Sequence, residues 1–323
     1  MMETRWTLVG LIVVFGLVVG SGCQSSVDTD VDRAADGTVR LGAVEAVDTL
    51  SRAVAPSDRP LRIDGIRGAV AIRGDTTATA DLSFIRRGRG ADPDDARATL
   101  DGISVEESGS EETYTYTLES SSQTTAYAAV DVAGTVPRAT ALQIEKTSGP
   151  VTIDGVEGAL TVRQSHGPVT LRGTAGPVDV SVQNGSLSVG VQALPSDASV
   201  TLETDNGDVT VAVPPEASAR LDARTNAGTL RAQGLSLSNE RFDPVDAGGR
   251  YRADVGDGDA LIEVRVKNGD IRFRAADTTA TMPAPDTLSV PPSDTTVAPS
   301  APADSARPDT AETDPDTTEA DAP

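Results

Sequence analysis

The sequence has little lysine, histidine, cysteine or aromatic character. Aromatic residues make up 3% of its 323 residues, and it holds two lysines, one histidine and one cysteine. A lone cysteine cannot form an internal disulfide, and one cysteine with one histidine cannot build a zinc site from such ligands. A Ser-His triad would have to use His166. With so few aromatic residues, the core must consist of Val, Leu, Ile and Ala, which favours a fold of regularly stacked repeats.

Positive charge is also scarce. The chain carries 49 acidic and 27 basic residues, which gives a net charge of −22. Because nucleic-acid binding needs a basic surface, we expect no nucleic-acid partner. An acidic, lysine-poor composition is typical of halophilic proteins, whose carboxylates stay hydrated at high salt. A GC-rich genome combined with an acidic tail is the alternative explanation.

The amino terminus has the pattern of a signal peptide. An apolar run of about 14 residues, 6–19, is shorter than the roughly 20 residues that span a bilayer, but it fits the apolar region of a signal peptide. The following Gly20-Ser21-Gly22-Cys23 resembles a bacterial lipobox, with Gly20 where the pattern usually has a branched or leucine-like residue. This resemblance implies a signal peptide over residues 1–22 and lipidation of Cys23. An ordinary cleaved signal peptide with a chance cysteine is the alternative.

Two further segments lack apolar periodicity. Residues 23–45 are rich in Ser, Asp, Gly and Ala, and we expect a flexible tether there. Residues 277–323 hold ten acidic residues and nine prolines, and such a segment cannot bury enough apolar area to offset its chain entropy. We therefore expect a disordered tail at 277–323.

The residue after the predicted lipidation site bears on localisation. By the enterobacterial sorting rule, Gln24 after Cys23 favours the outer membrane over the inner one. Whether the protein faces the periplasm or the cell surface stays open.

Regularly spaced glycines dominate residues 46–276. A short strand of alternating apolar and polar residues follows each one, as in Val169-Thr170-Leu171. The predicted structural turn glycines are Gly149, Gly158, Gly167, Gly176, Gly185, Gly207, Gly228 and Gly269. Every second glycine begins a unit of about 20 residues, so two strands form one rung. Stacked rungs would line Val, Leu and Ile inside and Thr, Ser and Asp outside. The pattern predicts an all-β solenoid, with a meandering β-sandwich as the alternative.

One helix interrupts the strands. Asp92 has the character of an N-cap, Pro93 suits the first helical position, and acidic residues occupy the first turn. Gly102 then ends the pattern. The sequence therefore predicts a single short helix near residues 92–101.

These motifs resemble the putative adhesin domain of bacteria, a β-strand-repeat domain of unknown function. The resemblance rests on Leu61-Arg62-Ile63-Asp64-Gly65 at the start of the repeats and on Lys267-Asn268-Gly269-Asp270-Ile271 at their end. It covers about residues 46–276. It implies a repeat fold and an adhesion or structural role, and it carries over no catalytic residues.

Candidate sites for chemistry are few. Asp254, Asp257 and Asp259 form an acidic glycine-rich turn whose oxygens could hold calcium, although their spacing differs from an EF-hand loop. A solvated hairpin turn is the simpler interpretation. His166 occupies the turn position that Ser and Asn take in other rungs, so we expect a turn residue. We expect no metal and no cofactor.

Three functions remain after these exclusions. We expect a non-enzymatic lipoprotein of the cell envelope, anchored to a membrane through its lipid, that contacts an envelope polymer or protein. The first alternative is an enzyme acting on envelope polysaccharide, which would need an acid and a base that converge in a groove. The second is a calcium- or salt-dependent matrix protein.

Overall fold

The structure is a computed structural model that describes residues 31–33, 39–41, 44–55, 59–110, 112–121 and 127–276. The predicted signal peptide, Cys23 and the predicted tail at 277–323 lie outside these residues. Among the described residues, strands account for nearly every element. The strands are β1 (Val31–Arg33), β2 (Val39–Leu41), β3 (Val44–Val54), β4 (Leu61–Arg67), β5 (Val70–Asp75), β6 (Ala80–Gly90), β7 (Ile103–Gly109), β8 (Tyr114–Ser120), β9 (Ala128–Pro137), β10 (Leu142–Ser148), β11 (Val151–Asp154), β12 (Leu160–His166), β13 (Val169–Thr174), β14 (Val178–Asn184), β15 (Leu187–Val191), β16 (Ser199–Asn206), β17 (Val209–Val213), β18 (Ala219–Ala227), β19 (Leu230–Gln233), β20 (Leu237–Val245), β21 (Gly248–Val255), β22 (Ala260–Asn268) and β23 (Ile271–Ala275).

Two long sheets hold all of these strands except β1 and β2, which pair with each other. The 11-stranded sheet runs β20-β21-β18-β22-β16-β14-β12-β10-β4-β8-β7. The 10-stranded sheet runs β19-β23-β17-β15-β13-β11-β5-β9-β6-β3. Each repeat contributes one strand to each sheet, and equivalent strands of neighbouring repeats pair in parallel and in register. This stacking confirms the predicted β-solenoid.

The alternation of side chains fills the space between the sheets. Val169 and Leu171 are completely buried, whereas Thr170 between them is half-buried and faces outward. In the 10-stranded sheet, Leu171 lies in register between Ile153 and Val189, which are also buried. Burial of such aliphatic side chains contributes about 1.5–3 kcal/mol each, so the ladder is the main source of stability.

The rungs do not stack in the order of the sequence. Strands β22 and β23 lie between β16–β17 and β18–β19, so the rung of Gly269 separates those of Gly207 and Gly228. At the other end, β4–β5 lie between β8–β9 and β10–β11. Since every rung presents similar aliphatic ladders, repeat spacing alone does not fix which rungs are neighbours.

The structure confirms the short helix predicted near residues 92–101. Helix α1 spans Pro93–Asp101, and Oδ1 of Asp92 accepts hydrogen bonds of 2.9 Å from the backbone N–H groups of Asp94 and Asp95. Its buried residues, Ala96 and Leu100, pack against β6. The backbone of α1 lies so close to β6 that a side chain on the facing residue of the strand would collide with it, and glycine occupies that position. A Cβ on Gly88 would lie 2.3 Å from the amide nitrogen of Leu100.

Candidate interaction surfaces

The predicted turn glycines lie at the corners of the solenoid, where rungs touch through their backbones. A Cβ added to any of the eight would lie 2.0–2.5 Å from a backbone carbonyl oxygen of a neighbouring rung. Five of them also have a positive φ, between 113° and 152°; these are Gly149, Gly167, Gly207, Gly228 and Gly269. Gly158, Gly176 and Gly185 are not at positive φ. All eight positions need glycine because the backbones of neighbouring rungs approach closely there. Only some of the corners also need glycine for its freedom to adopt a positive φ.

Polar side chains inside the solenoid bind the carbonyl oxygens of corner glycines. The donors are the buried side chains of Lys146, Gln164, Thr204 and Thr225, and the acceptors are Gly68, Gly167, Gly185 and Gly269 in the same order. Satisfying a buried carbonyl avoids a cost of about 1–3 kcal/mol. Our sequence reasoning missed this set. The sequence does contain a signal for it, because Lys146 follows the inward-facing Leu142 and Ile144 at intervals of two residues.

Lys146 has the most perturbed environment of this set. Burial lowers the pKa of its amine to about 8, against the opposing effect of the Asp131 carboxylate. A lysine with a depressed pKa is a common catalytic group. Here Nζ donates to the Gly68 carbonyl oxygen and 8% of the residue is exposed, so its environment is that of a structural residue.

A ladder of asparagines runs along one corner. Nδ2 of Asn206 donates to Oδ1 of Asn184 at 2.9 Å, and Nδ2 of Asn268 donates to Oδ1 of Asn206 at 3.0 Å. His166 is exposed at the next position of this ladder, in register with Asn184 and Ser148. The structure thus places His166 at the last residue of β12, directly before the corner glycine Gly167.

The acidic turn does not gather its three carboxylates at one point. Asp254 accepts hydrogen bonds from Asn239 at 2.8 Å and from Arg220 at 3.4 Å. Asp259 instead accepts from the hydroxyl of Ser218 at 3.0 Å. Within the described residues, no group of three or more His, Cys, Asp or Glu side chains is arranged to hold a metal ion.

A cleft of about 330 Å³ lies between β3 and α1, lined in part by Glu45, Asp94 and Arg97. Glu45 forms ion pairs with Arg87 at 3.1 Å and Arg89 at 2.8 Å. Burial alone would raise the pKa of Glu45, but the two arginines outweigh it and hold the pKa below its usual value. A general acid of a glycosidase needs the opposite shift.

The outer face of the 11-stranded sheet carries polar and charged side chains along the repeats. Its side chains form rows across the strands, one residue per strand, at a spacing of about 4.8 Å. Ion pairs join neighbouring strands along it, as between Arg62 and Glu145 at 2.7 Å and between Arg163 and Asp179 at 3.4 Å. Such exposed pairs contribute at most about 1 kcal/mol. This face therefore presents charged groups to solvent in a regular array.

No helix in the described part of the chain is both long and apolar enough to cross a membrane.

Comparison with known proteins gives one family match and several similar solved structures. The family model described as Toastrack DUF4097 matches residues 93–274. Among solved structures, a putative cell adhesion protein from Clostridium sporogenes is 13% identical, with a TM-score of 0.42, over 72% of this chain and 100% of that one. A putative adhesin from Bacteroides fragilis is 12% identical, with a TM-score of 0.37, over 70% of this chain and 97% of that one. None of the curated proteins matches the chain.

Proposed function

This chain belongs to the Toastrack DUF4097 family, and we propose that it is a non-enzymatic interaction module of the cell envelope, held at a membrane by a lipid on Cys23. The observation that carries the proposal is the outer face of the 11-stranded sheet. Its charged side chains stand in rows across parallel strands, while the aliphatic ladders fill the interior. An extended partner, such as an envelope polymer, matches a flat array of this kind.

The geometry gives little support to the enzyme alternative. Glycoside hydrolysis uses two carboxyl groups about 5–9.5 Å apart, one of them with a raised pKa. In the cleft between β3 and α1, Glu45 is neutralised by Arg87 and Arg89, and its pKa is lowered. On the outer face, ion pairs hold further carboxylates as well, those of Glu145, Asp179 and Asp222. These observations favour binding over catalysis.

Binding to the envelope tests this proposal. The purified mature protein would be mixed with isolated envelope material, and the sedimented fraction and any new reducing ends would both be measured. We expect saturable co-sedimentation without new reducing ends. Protease-treated and periodate-treated envelopes serve as matched samples that tell a protein partner from a glycan. New reducing ends would favour the polysaccharide enzyme, and an absence of saturable binding would contradict the interaction module.

The lipid anchor needs its own test, because Gly20-Ser21-Gly22-Cys23 is its sole support. We expect a fatty-acid analogue fed to the producing cells to label the protein, and the Cys23→Ser variant to lose both the label and its membrane association. Outer-membrane and inner-membrane fractions separated on a density gradient would assign the membrane. A label retained by the serine variant would contradict lipidation at this residue.

A further inference from the structure

We propose that Arg265, Arg224 and Arg250 form a binding site for the oxyanions of an acidic envelope glycan. This inference rests on the proposed function and names the ligand class of the interaction surface. The three arginines occupy one row on the outer face of the 11-stranded sheet, near the end of the solenoid that holds β20 and β21.

The register of three adjacent strands creates this row. Arg224 on β18 is paired in register with Arg265 on β22 and with Arg250 on β21. Arg224 and Arg265 alternate with buried inward residues, and Arg250 is in register with Arg224, so the three side chains share the outer face. Arg224 is exposed, and the side chains of Arg265 and Arg250 are 54% and 40% exposed. The backbone spacing places the three positions across about 10 Å.

Three like charges side by side are unusual in a chain with a net charge of −22. Like charges on directly opposed strand positions destabilise a sheet. Several arginines on the same face pair with a carboxylate on the neighbouring strand, as Arg62 does with Glu145 and Arg250 does with Asp222.

Within the described part of the chain, Arg224 has no carboxylate within ion-pairing distance. The Arg224 guanidinium is therefore available to an external anion. Acidic residues occupy the next position at each end of the row, Glu203 beside Arg265 and Asp243 beside Arg250.

The two flanking arginines are held in place by acids of the next row. Nε and Nη2 of Arg250 donate to the two carboxylate oxygens of Asp222 at 2.9 and 2.5 Å. Nη2 of Arg265 donates to Glu263 at 2.5 Å. A guanidinium has five N–H donors, so both arginines keep donors for a ligand and Arg224 keeps all of its own. Asp222 and Glu263 are therefore positioning residues.

The shape and chemistry of the row favour a linear glycan. Guanidinium groups bind carboxylate and phosphate through paired N–H donors, and an exposed row across a flat sheet admits an extended chain. An acidic glycan carries its carboxylates or phosphates at intervals along such a chain. The row beside the arginines holds Asp222, Glu263 and Arg252. The exposed apolar Leu261 lies one row further away, so few apolar side chains are present to insert into a lipid surface.

Direct binding measurements test this site. The full mature protein would be titrated at 0.15 M salt with polygalacturonate, phosphomannan, neutral dextran and anionic phospholipid vesicles. We expect binding to at least one acidic glycan and none to dextran, and the two acidic glycans tell carboxylate from phosphate recognition. Equal binding to dextran, tighter binding to vesicles, or no binding to either acidic glycan would overturn the assignment.

Substitutions then locate the binding. Loss of one charge-assisted hydrogen-bonding group weakens binding by about tenfold or more, so we expect that increase in Kd for Arg224→Gln and a smaller one for Arg224→Lys. Arg73→Gln makes the same change at an exposed arginine of β5, in the other sheet, and should leave Kd within about twofold. The melting temperature of Arg224→Gln should not fall, because repulsion is relieved. Arg265→Gln provides a second variant should Arg224→Gln misfold.

Two results separate this inference from the proposed function. If Arg224→Gln and Arg265→Gln bind the acidic glycan as well as the unaltered protein does, the arginine row is the wrong site. If the unaltered protein sediments with envelopes but binds neither acidic glycan, the interaction module stands and the glycan assignment falls.

Discussion

At the scale of single residues, the alternation of inward and outward side chains decides how much each one contributes. Leu171 is fully buried between Ile153 and Val189, whereas Thr170 points outward. We expect Leu171→Ala to lower the free energy of unfolding by about 2–5 kcal/mol, because it leaves a cavity. Thr170→Ala should cost well under about 1 kcal/mol. Chemical denaturation of both variants checks this, and a larger loss for Thr170→Ala would reverse the inside-outside assignment.

Lys146 gives the solenoid a pH dependence of known sign. Burial holds the pKa of Lys146 at about 8 in the folded state, against an ordinary value of 10.5, with Asp131 as the nearest opposing charge. Between pH 8 and 10.5 the unfolded chain binds more protons at this site than the folded chain. The contribution of Lys146 to the free energy of unfolding therefore rises with pH across this window, by about 3 kcal/mol.

Lys146→Met tests this contribution, because it removes the titrating group and keeps most of the side-chain volume. Denaturation curves would be recorded for both proteins from pH 7 to 11. We expect stability to rise more steeply with pH in the unaltered protein than in the variant. Parallel curves would mean that Lys146 does not titrate in this range. At a single pH the variant also leaves the Gly68 carbonyl without its donor, so the difference in slope is the informative quantity.

At the scale of elements, the strands and the helix follow from the residues within each element, and the sequence therefore predicted both. The N-cap Asp92 and Pro93 located α1, and alternation located the strands from Val151 onward. The polar interior was not predicted, although period two places Lys146 on the same side of β10 as the buried Leu142 and Ile144. The turn glycines were predicted from their spacing, and the structure adds that Gly185 is needed for the close approach of neighbouring backbones and not for a positive φ.

The last rung has a structural role that its position in the sequence does not reveal. Strands β22 and β23 bury Ile262, Val264 and Phe273 and pair with a rung on either side. We expect deletion of residues 259–323 to lower the melting temperature by well over 10 °C, since hydrophobic contacts are lost on both sides. Calorimetry of the truncated chain measures this loss.

Deletion of residues 277–323 is the matched control for that truncation. Its Pro-rich and acidic composition lacks apolar periodicity, so we expect the melting temperature to stay within a few degrees of the full chain. If the two truncated proteins melt alike, the last rung does not hold its neighbours together. A large loss on removing residues 277–323 alone would instead mean that this segment packs on the domain.

At the scale of the whole molecule, the order of the rungs builds the proposed binding site. If β18 stacked directly on β16, Arg224 would lie in register with Glu203 and find a carboxylate partner. Because β22 is inserted between them, Arg224 lies beside Arg265 instead. The row of three arginines is thus a product of non-sequential stacking.

The sequence could not predict this order. Gly207, Gly228 and Gly269 open rungs with the same corner and similar aliphatic strands, so each could stack on either of the others. Pairing of distant segments is a property of the folded chain, and repeat spacing carries no information about it. The residues of the site were all visible in the sequence, and what was missing was the strand order that makes them neighbours.

Disulfide trapping tests this stacking order most directly. In a Cys23→Ser background, Arg224→Cys combined with Arg265→Cys places two thiols on adjacent strands with Cα atoms about 5 Å apart, within disulfide range. Arg224→Cys combined with Glu203→Cys places them two strands and about 10 Å apart, beyond the roughly 7 Å limit. After mild oxidation of the folded proteins, we predict that the first pair forms a disulfide and the second does not. A disulfide in the second pair but not in the first would show that the rungs stack in sequence order and that the arginine row does not exist.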